Sequence, residues 1–200
     1  MSEFFVYLQL GFQHIADING YDHILFVTAL CALYQAQDWK RLLWLVTAFT
    51  LGHSVTLALS TLNIFTLPSR IVEFLIPVTI FLTATFNISV LHRRRNAAPE
   101  QSSSTRKAQY LMAAGFGLIH GLGFSTYLKS LLGRDQNIVL QLFSFNLGLE
   151  CGQILIVAVV LGSTWLLTSV VGLVRREWSL VLSGAAAGVA VTLMLKNWPG

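Results

Sequence analysis

The chain has 200 residues, of which 54% are hydrophobic and only 11% charged, with a formal net charge of +4. These proportions exclude an ordinary soluble domain and point to one embedded in a membrane. The positive balance does not argue for nucleic acid as a partner, because the basic residues sit in the short breaks between apolar runs, where they set topology.

Residues 1–20 lack the basic start, apolar core and small-residue cleavage site of a secretory signal, and Gln9, Gln13, His14 and Asp17 interrupt them. This segment is expected to lie at the outer interface, or to dip into it as a re-entrant helix. Six spans are expected after it: Tyr21 to Gln35, Arg41 to Leu62, Ser69 to Leu91, Ala108 to Leu128, Ile138 to Leu167 and Trp178 to Leu195. The first is short, and crosses only if the preceding segment completes its depth or the membrane thins. The fold class is therefore all-α, a single transmembrane bundle over 1–200. It divides into the interfacial helix 1–20, spans one to three over 21–91, a cytoplasmic loop 92–107, and spans four to six over 108–200.

Nine basic residues (Lys40, Arg41, Arg93, Arg94, Arg95, Arg106, Lys107, Arg175 and Arg176) lie in the breaks after spans one, three and five, against four (Arg70, Lys129, Arg134 and Lys196) in the other breaks and at the C-terminal end. The richer set belongs in the cytoplasm. Both termini then face outward across a bacterial-type inner membrane, with lipid as the surrounding partner. Trp39, Trp44, Trp178 and Trp198 fall near interfaces, where an indole serves as an anchor. His92 is read as an interfacial residue beside Arg93. Cys31 and Cys151 have no CxxC spacing and read as buried, inert thiols.

Polar residues inside the apolar runs are the informative feature, since a carboxylate or imidazole at that depth must face the bundle interior and find a partner. Span two carries His53 about 18 Å above the cytoplasmic edge, and span four carries His120 at roughly 20 Å, taking 1.5 Å of rise per residue. Asp22, His23 and Glu73 lie within about two turns of the outer edge, and Glu150 is roughly 18 Å below it. Asn146, Glu150 and Gln153 follow a four-then-three spacing that puts them on one helix face. Imidazole nitrogen with carboxylate oxygen suits a borderline divalent ion such as Zn2+, Ni2+ or Co2+ rather than Ca2+ or Mg2+. The candidate metal ligands are Asp22, His23, His53, His120 and Glu150. Thr47, Thr50, Ser54, Asn146 and Gln153 are candidates for supporting hydrogen bonds, and His14 and Glu73 are weaker candidates.

Each residue also has a plainer reading. His53 could join two helices by a hydrogen bond, Asp22 could cap span one, and Glu73 could pair with Arg70 three residues earlier. The spaced glycine pairs Gly117/Gly121 and Gly148/Gly152 are expected to bring spans four and five together, making His120 and Glu150 neighbours.

Five runs carry a resemblance. They are Gly11-Phe12-Gln13-His14-Ile15 with Gly20 to Val27; Thr47 to Leu57 around Leu51-Gly52-His53-Ser54; Pro68 to Glu73; Phe116 to Phe124 around His120; and Phe145 to Gln153 around Glu150. The chain resembles the HupE/UreJ membrane proteins, most closely the second branch of that family. The resemblance implies a nickel or cobalt permease whose first motif, a histidine followed after five residues by Asp-His, takes part in uptake. Here seven residues separate His14 from Asp22, so Asp22 and His23 match the motif and His14 does not.

Two functional readings follow. In one, a divalent metal sheds water at the His/carboxylate cluster and passes inward, its release linked to protonation of the ligands. In the other, His23, His53 and His120 hold zinc in an intramembrane hydrolase acting on a lipid or peptide, with Asp22 or Glu150 as the base. Asn87 is the main buried polar residue expected in the cytoplasmic half, so a site is more legible than a path.

Overall fold

A computed structural model describes residues 2–93, 103–131 and 138–199, and every regular element among them is helical. The order is α1 (Glu3–Ile15), α2 (Asp22–Cys31), a 3-10 turn (Ala36–Asp38), α3 (Trp39–Thr61), α4 (Ser69–Arg93), α5 (Ser103–Leu131), α6 (Ile138–Trp165, continued as a π-helix over Leu166–Val170) and α7 (Arg175–Lys196). The breaks have local causes. Gln35 and Asp38 form a reciprocal capping box ahead of α3. Asn63, at φ 58°, ends α3 in the left-handed region that asparagine tolerates. Pro68 opens α4, and its carbonyl accepts the Ile71 N–H at 3.0 Å.

Among the described residues, four helical stretches are long and apolar enough to cross a membrane: Ala36–Thr61, Ser69–Arg93, Ile138–Val170 and Arg175–Lys196. These match the expected spans two, three, five and six. The other two expected spans differ from that criterion in opposite ways. The ten residues of α2 reach only about 15 Å, whereas α5 has 29 residues but is diluted by glycine, histidine and hydroxyl side chains. Outward-facing Trp44, Leu51, Leu82, Val159, Val181 and Leu195 form the apolar exterior expected of a bundle in lipid.

The helices are welded in pairs by glycine. A side chain at Gly117 would collide with the Phe49 carbonyl and one at Gly121 with the His53 carbonyl, while Gly52 lies against Ala114. Thus α3 and α5 run parallel in backbone contact, with Ser60 donating to Ser125 at 2.8 Å nearer their C-terminal ends. In the same way Gly148 lies on Leu8, Gly152 on Ile15 and Gly11 on Phe145, fastening α1 along α6. This corrects the expected pairing of spans four and five. Small-residue spacing marks a face that a backbone can approach, without specifying whose backbone it is. The helices α5 and α6 meet instead through the stacked rings of Phe124 and Phe145, 4.9 Å apart at 17°.

Consecutive contacts along α6 show that α1 and α2 lie in series beside it. Leu8 sits at Gly148, Ile15 at Gly152, and Gln35, just past α2, shares a small pocket with Thr164 and Thr168. Together they make one rod, broken over residues 16–21. The far end is fixed by Asn87 of α4, which donates to the Ala29 carbonyl at 2.7 Å, and by Arg175, which donates to the Leu33 carbonyl at 3.0 Å.

Two smaller expectations change. Helix α4 runs to Arg93 and α5 begins at Ser103, so helix takes both ends of the expected loop 92–107, and residues 94–102 lie outside the described residues. Arg134 lies outside them too. Cys31 is buried as expected, but Cys151 is exposed, on an outward-facing part of α6.

Candidate metal centre

Four histidines converge at the break in the rod. His14 lies in the last turn of α1, His23 in the first turn of α2, His53 within α3 and His120 within α5. His14, His23 and His53 each offer a ring nitrogen within 4.8 Å of the other two. His120 joins them from α5, its ring 5.1 Å from that of His23. The side chains of His53 and His120 are fully buried, at 0% exposure.

Phenylalanines enclose the group. Phe124 lies 3.9 Å from His14, Phe26 and Phe49 each 5.1 Å from His120, and Phe145 6.4 Å from His53, measured between ring centroids. Such walls offer the imidazoles no hydrogen-bonding partner of their own.

The hydrogen bonds fix which nitrogen is available. Nδ1 of His120 donates to the Phe116 carbonyl at 2.8 Å, and Nδ1 of His23 to Oδ1 of Asp22 at 3.1 Å. With the protons so placed, Nε2 of each ring carries a lone pair, and both Nε2 atoms are buried without a partner. Nε2 of His14 and both nitrogens of His53 are equally unpartnered. Each such atom costs about 1–3 kcal/mol if nothing completes it. Several unpartnered imidazole nitrogens gathered in one place suit a borderline divalent cation, and are more than helix-joining hydrogen bonds would leave over.

The predicted residues fall into distinct places. His23 and His53 come together with His14, and His120 lies beside His23, outside that group of three nitrogens. Asp22 stands behind His23, its Oδ1 also accepting the His23 backbone N–H at 2.9 Å, in the position from which a carboxylate orients a ligating imidazole. Glu150 is half-buried on α6 and accepts from Thr47 Oγ1 at 2.7 Å. Thr47 precedes His53 by six residues, about 9 Å along α3, so Glu150 is outside the histidine group rather than beside His120. Gln153 pairs with Thr50 at 2.8 Å, Ser54 donates to the Thr50 carbonyl at 2.6 Å, and Asn146 has an unpartnered Oδ1. Glu73 is exposed and forms no ion pair with Arg70 among the described residues; its backbone carbonyl accepts from Asn197 at 3.1 Å. His92 is exposed at the end of α4.

Sequence reasoning gave His14 a weaker place on a family spacing applied across a turn whose length is free to vary, and the structure brings its ring nitrogen to those of His23 and His53. The overlooked signal was the turn itself: Asp17, Asn19 and Gly20 end one helix as aspartate begins another, and Asp17 closes the turn by accepting the Asn19 N–H at 2.9 Å. The aromatic cage was legible too, since Phe49/His53 and Phe116/His120 are both spaced to share a helix face.

A cleft of about 790 Å³ reaches His14, lined by Gln13, Asp17, Phe124 and Tyr127 among others. His14 is the least buried of the four histidines and the one nearest this opening.

Replacing Asp22 by asparagine is expected to lower metal affinity by about 10–100-fold without changing the number of ions bound, because the His23 ring loses its orienting carboxylate. Calorimetric titration of the purified variant measures both quantities.

The fold and the cluster define an all-helical protein of membrane type with a buried polyhistidine centre. A family model described as HupE / UreJ protein matches residues 1–199, and the chain belongs to that family. No curated protein and no solved structure matches the chain.

Proposed function

We propose that this protein is a secondary transporter whose substrate is a divalent transition metal ion, with Ni2+, Co2+ and Zn2+ the species its donors suit. The observation that carries the reading is the convergence of unpartnered histidine nitrogens at the break of a discontinuous helix. Broken helices in transporters place binding groups near mid-membrane, where irregular backbone is tolerated only if it lines a site. Here α1 and α2 together make the first crossing and α5 the fourth, which completes six. The ion reaches His14 from the cleft, exchanges water for imidazole nitrogen, and leaves towards the side carrying most of the basic residues.

A route inward has more support than Asn87 alone. Thr79, Thr83 and Asn87 are buried at four-residue intervals on α4, and Gln109 of α5 is buried near Asn87, bonded to the Tyr34 hydroxyl at 2.7 Å. The hydrolase reading is weaker because Asp22 stands behind the His23 ring, bonded to its Nδ1, and Glu150 lies outside the histidine group, level with Thr47.

The test is uptake into sealed proteoliposomes containing a metal-sensitive dye. The wild-type protein is expected to admit Ni2+, Co2+ or Zn2+ well above protein-free vesicles. Equal rates with and without protein, for all three ions, would overturn the proposal.

A further inference from the structure

Inward of the histidines, a second polar group bridges α3 and α6. Thr47 and Thr50 on one helix meet Glu150 and Gln153 on the other, each pair three residues apart and so on one face. Thr50 Oγ1 lies 3.0 Å from the Val46 carbonyl and 2.8 Å from Gln153 Oε1. A hydroxyl has one proton, so it satisfies one of these two acceptors. If the proton goes to Gln153, the amide nitrogen has no partner, as Nε2 has none now. If it goes to Val46, the amide turns over to donate to Thr50, and its oxygen takes the buried place of Nε2. Gln153 is 0% exposed, so one polar atom of a fully buried amide lacks a partner.

Glu150 adds an independent observation. Its carboxylate lies within a helix that the chain places in the membrane, yet it forms no ion pair among the described residues. A neutral hydroxyl is its hydrogen-bond donor. An intramembrane carboxylate ordinarily faces a positive partner, and the described residues supply none.

We propose that Glu150, Gln153, Thr47 and Thr50 form a second cation station, lined by oxygen, which takes the metal ion from the histidine cluster. The proposal rests on the transporter reading given above. In it the Gln153 amide presents its oxygen, Glu150 supplies the charge, and the threonine hydroxyls position both. Thr50 is three residues from His53, about 4.5 Å along α3, so the two stations adjoin. Their donors differ in kind. Imidazole holds Ni2+, Co2+ and Zn2+ firmly, whereas carboxylate, amide and hydroxyl oxygens hold them less tightly. A tight site followed by a looser one selects the ion and then lets it go, as conduction through any chain of sites requires.

The probe is Co2+, titrated into the whole detergent-purified chain and followed by calorimetry and visible absorption. The wild type is expected to take two ions per chain, the first with the intense bands of a nitrogen-rich, low-coordinate site, the second more weakly by about tenfold or more and nearly colourless. Glu150→Gln should keep the first ion and lose the second. Gln153→Leu should weaken the second by about tenfold or more without lowering the melting temperature of the metal-free protein, because it removes an unpaired buried atom. Its result stands even if the glutamate variant fails to fold. Binding of a single ion by the wild type would overturn the station, as would loss of the first ion in Glu150→Gln; both leave the transporter reading in place. A wild type with no tight ion but a Glu150-dependent weak one would support the station and sink the histidine reading instead.

Discussion

Replacing Gly117 with leucine is expected to abolish high-affinity metal binding and to lower the melting temperature of the detergent-solubilised protein sharply. The first atom a side chain at this position would meet is the Phe49 carbonyl oxygen, and the His53 backbone nitrogen is next. Backbone inside a helix cannot swing aside as a long side chain can. Overpacking of this kind costs about 1–3 kcal/mol when the surroundings adjust, and this position belongs at the upper end or above it. Because α3 and α5 carry His53 and His120, separating them also separates two imidazoles of the cluster. Gly115, on the same helix, has nothing within 4 Å of an added side chain, so Gly115→Ala is the matched control and should be tolerated. A Gly117→Leu protein that melts and binds as the wild type does would remove the close-packing account of the α3–α5 pair.

The second large effect is expected at His53. Substitution by leucine should reduce metal affinity by more than about 100-fold, beyond the range seen when only a supporting residue of a metal ligand is lost. The metal-free protein should melt no earlier than the wild type. Both ring nitrogens of His53 are buried without hydrogen bonds, so exchanging the ring for an apolar side chain of similar bulk removes two unsatisfied atoms at little packing cost. His53→Ala and His120→Ala should each lose tight binding, and the double variant should be little worse than either, because ligands of one ion act together. His92→Ala should change nothing. Affinity from titration and melting temperature from a thermal-shift series provide the two readouts. Unaltered affinity in both single alanine variants would sink the shared site.

Much of this architecture could be read from residue types, and the parts that could not have physical reasons. The apolar runs located α3, α4, α6 and α7, since lipid imposes a length and a composition together. The same rule reads α1, α2 and α5 poorly: two are half-length and the third spends apolar residues on glycine, histidine and hydroxyl groups. The depth argument placed His53 and His120 at one level, and their side chains do converge on His23. It failed for Glu150, because depth along an axis says nothing about which side of a helix a residue occupies, and α6 turns Glu150 towards Thr47. The glycine pairs marked close contact without naming the partner helix. Among the hydrogen bonds, the Asp22–His23 pair was accessible, since the two are adjacent in sequence. The Thr47–Glu150 and Thr50–Gln153 bonds required knowing that α3 and α6 cross.

The division of the four histidines among differently anchored helices has a mechanical consequence. His53 and His120 ride on the α3–α5 pair, which moves as one piece because its backbones touch. His14 is carried by α1, keyed into α6, while His23 sits on α2, whose far end is held by Asn87 of α4 and by Arg175 at the start of α7. The break at residues 16–21 leaves α1 and α2 joined by a turn instead of continuous helix. In the site proposed above, a coordination sphere assembled this way would act as a gauge of relative sliding: displacement of one carrier well beyond about 0.2 Å would take its nitrogen out of bonding distance while the others keep theirs. Grip on such an ion would then be tightened or loosened by rigid pieces shifting against each other.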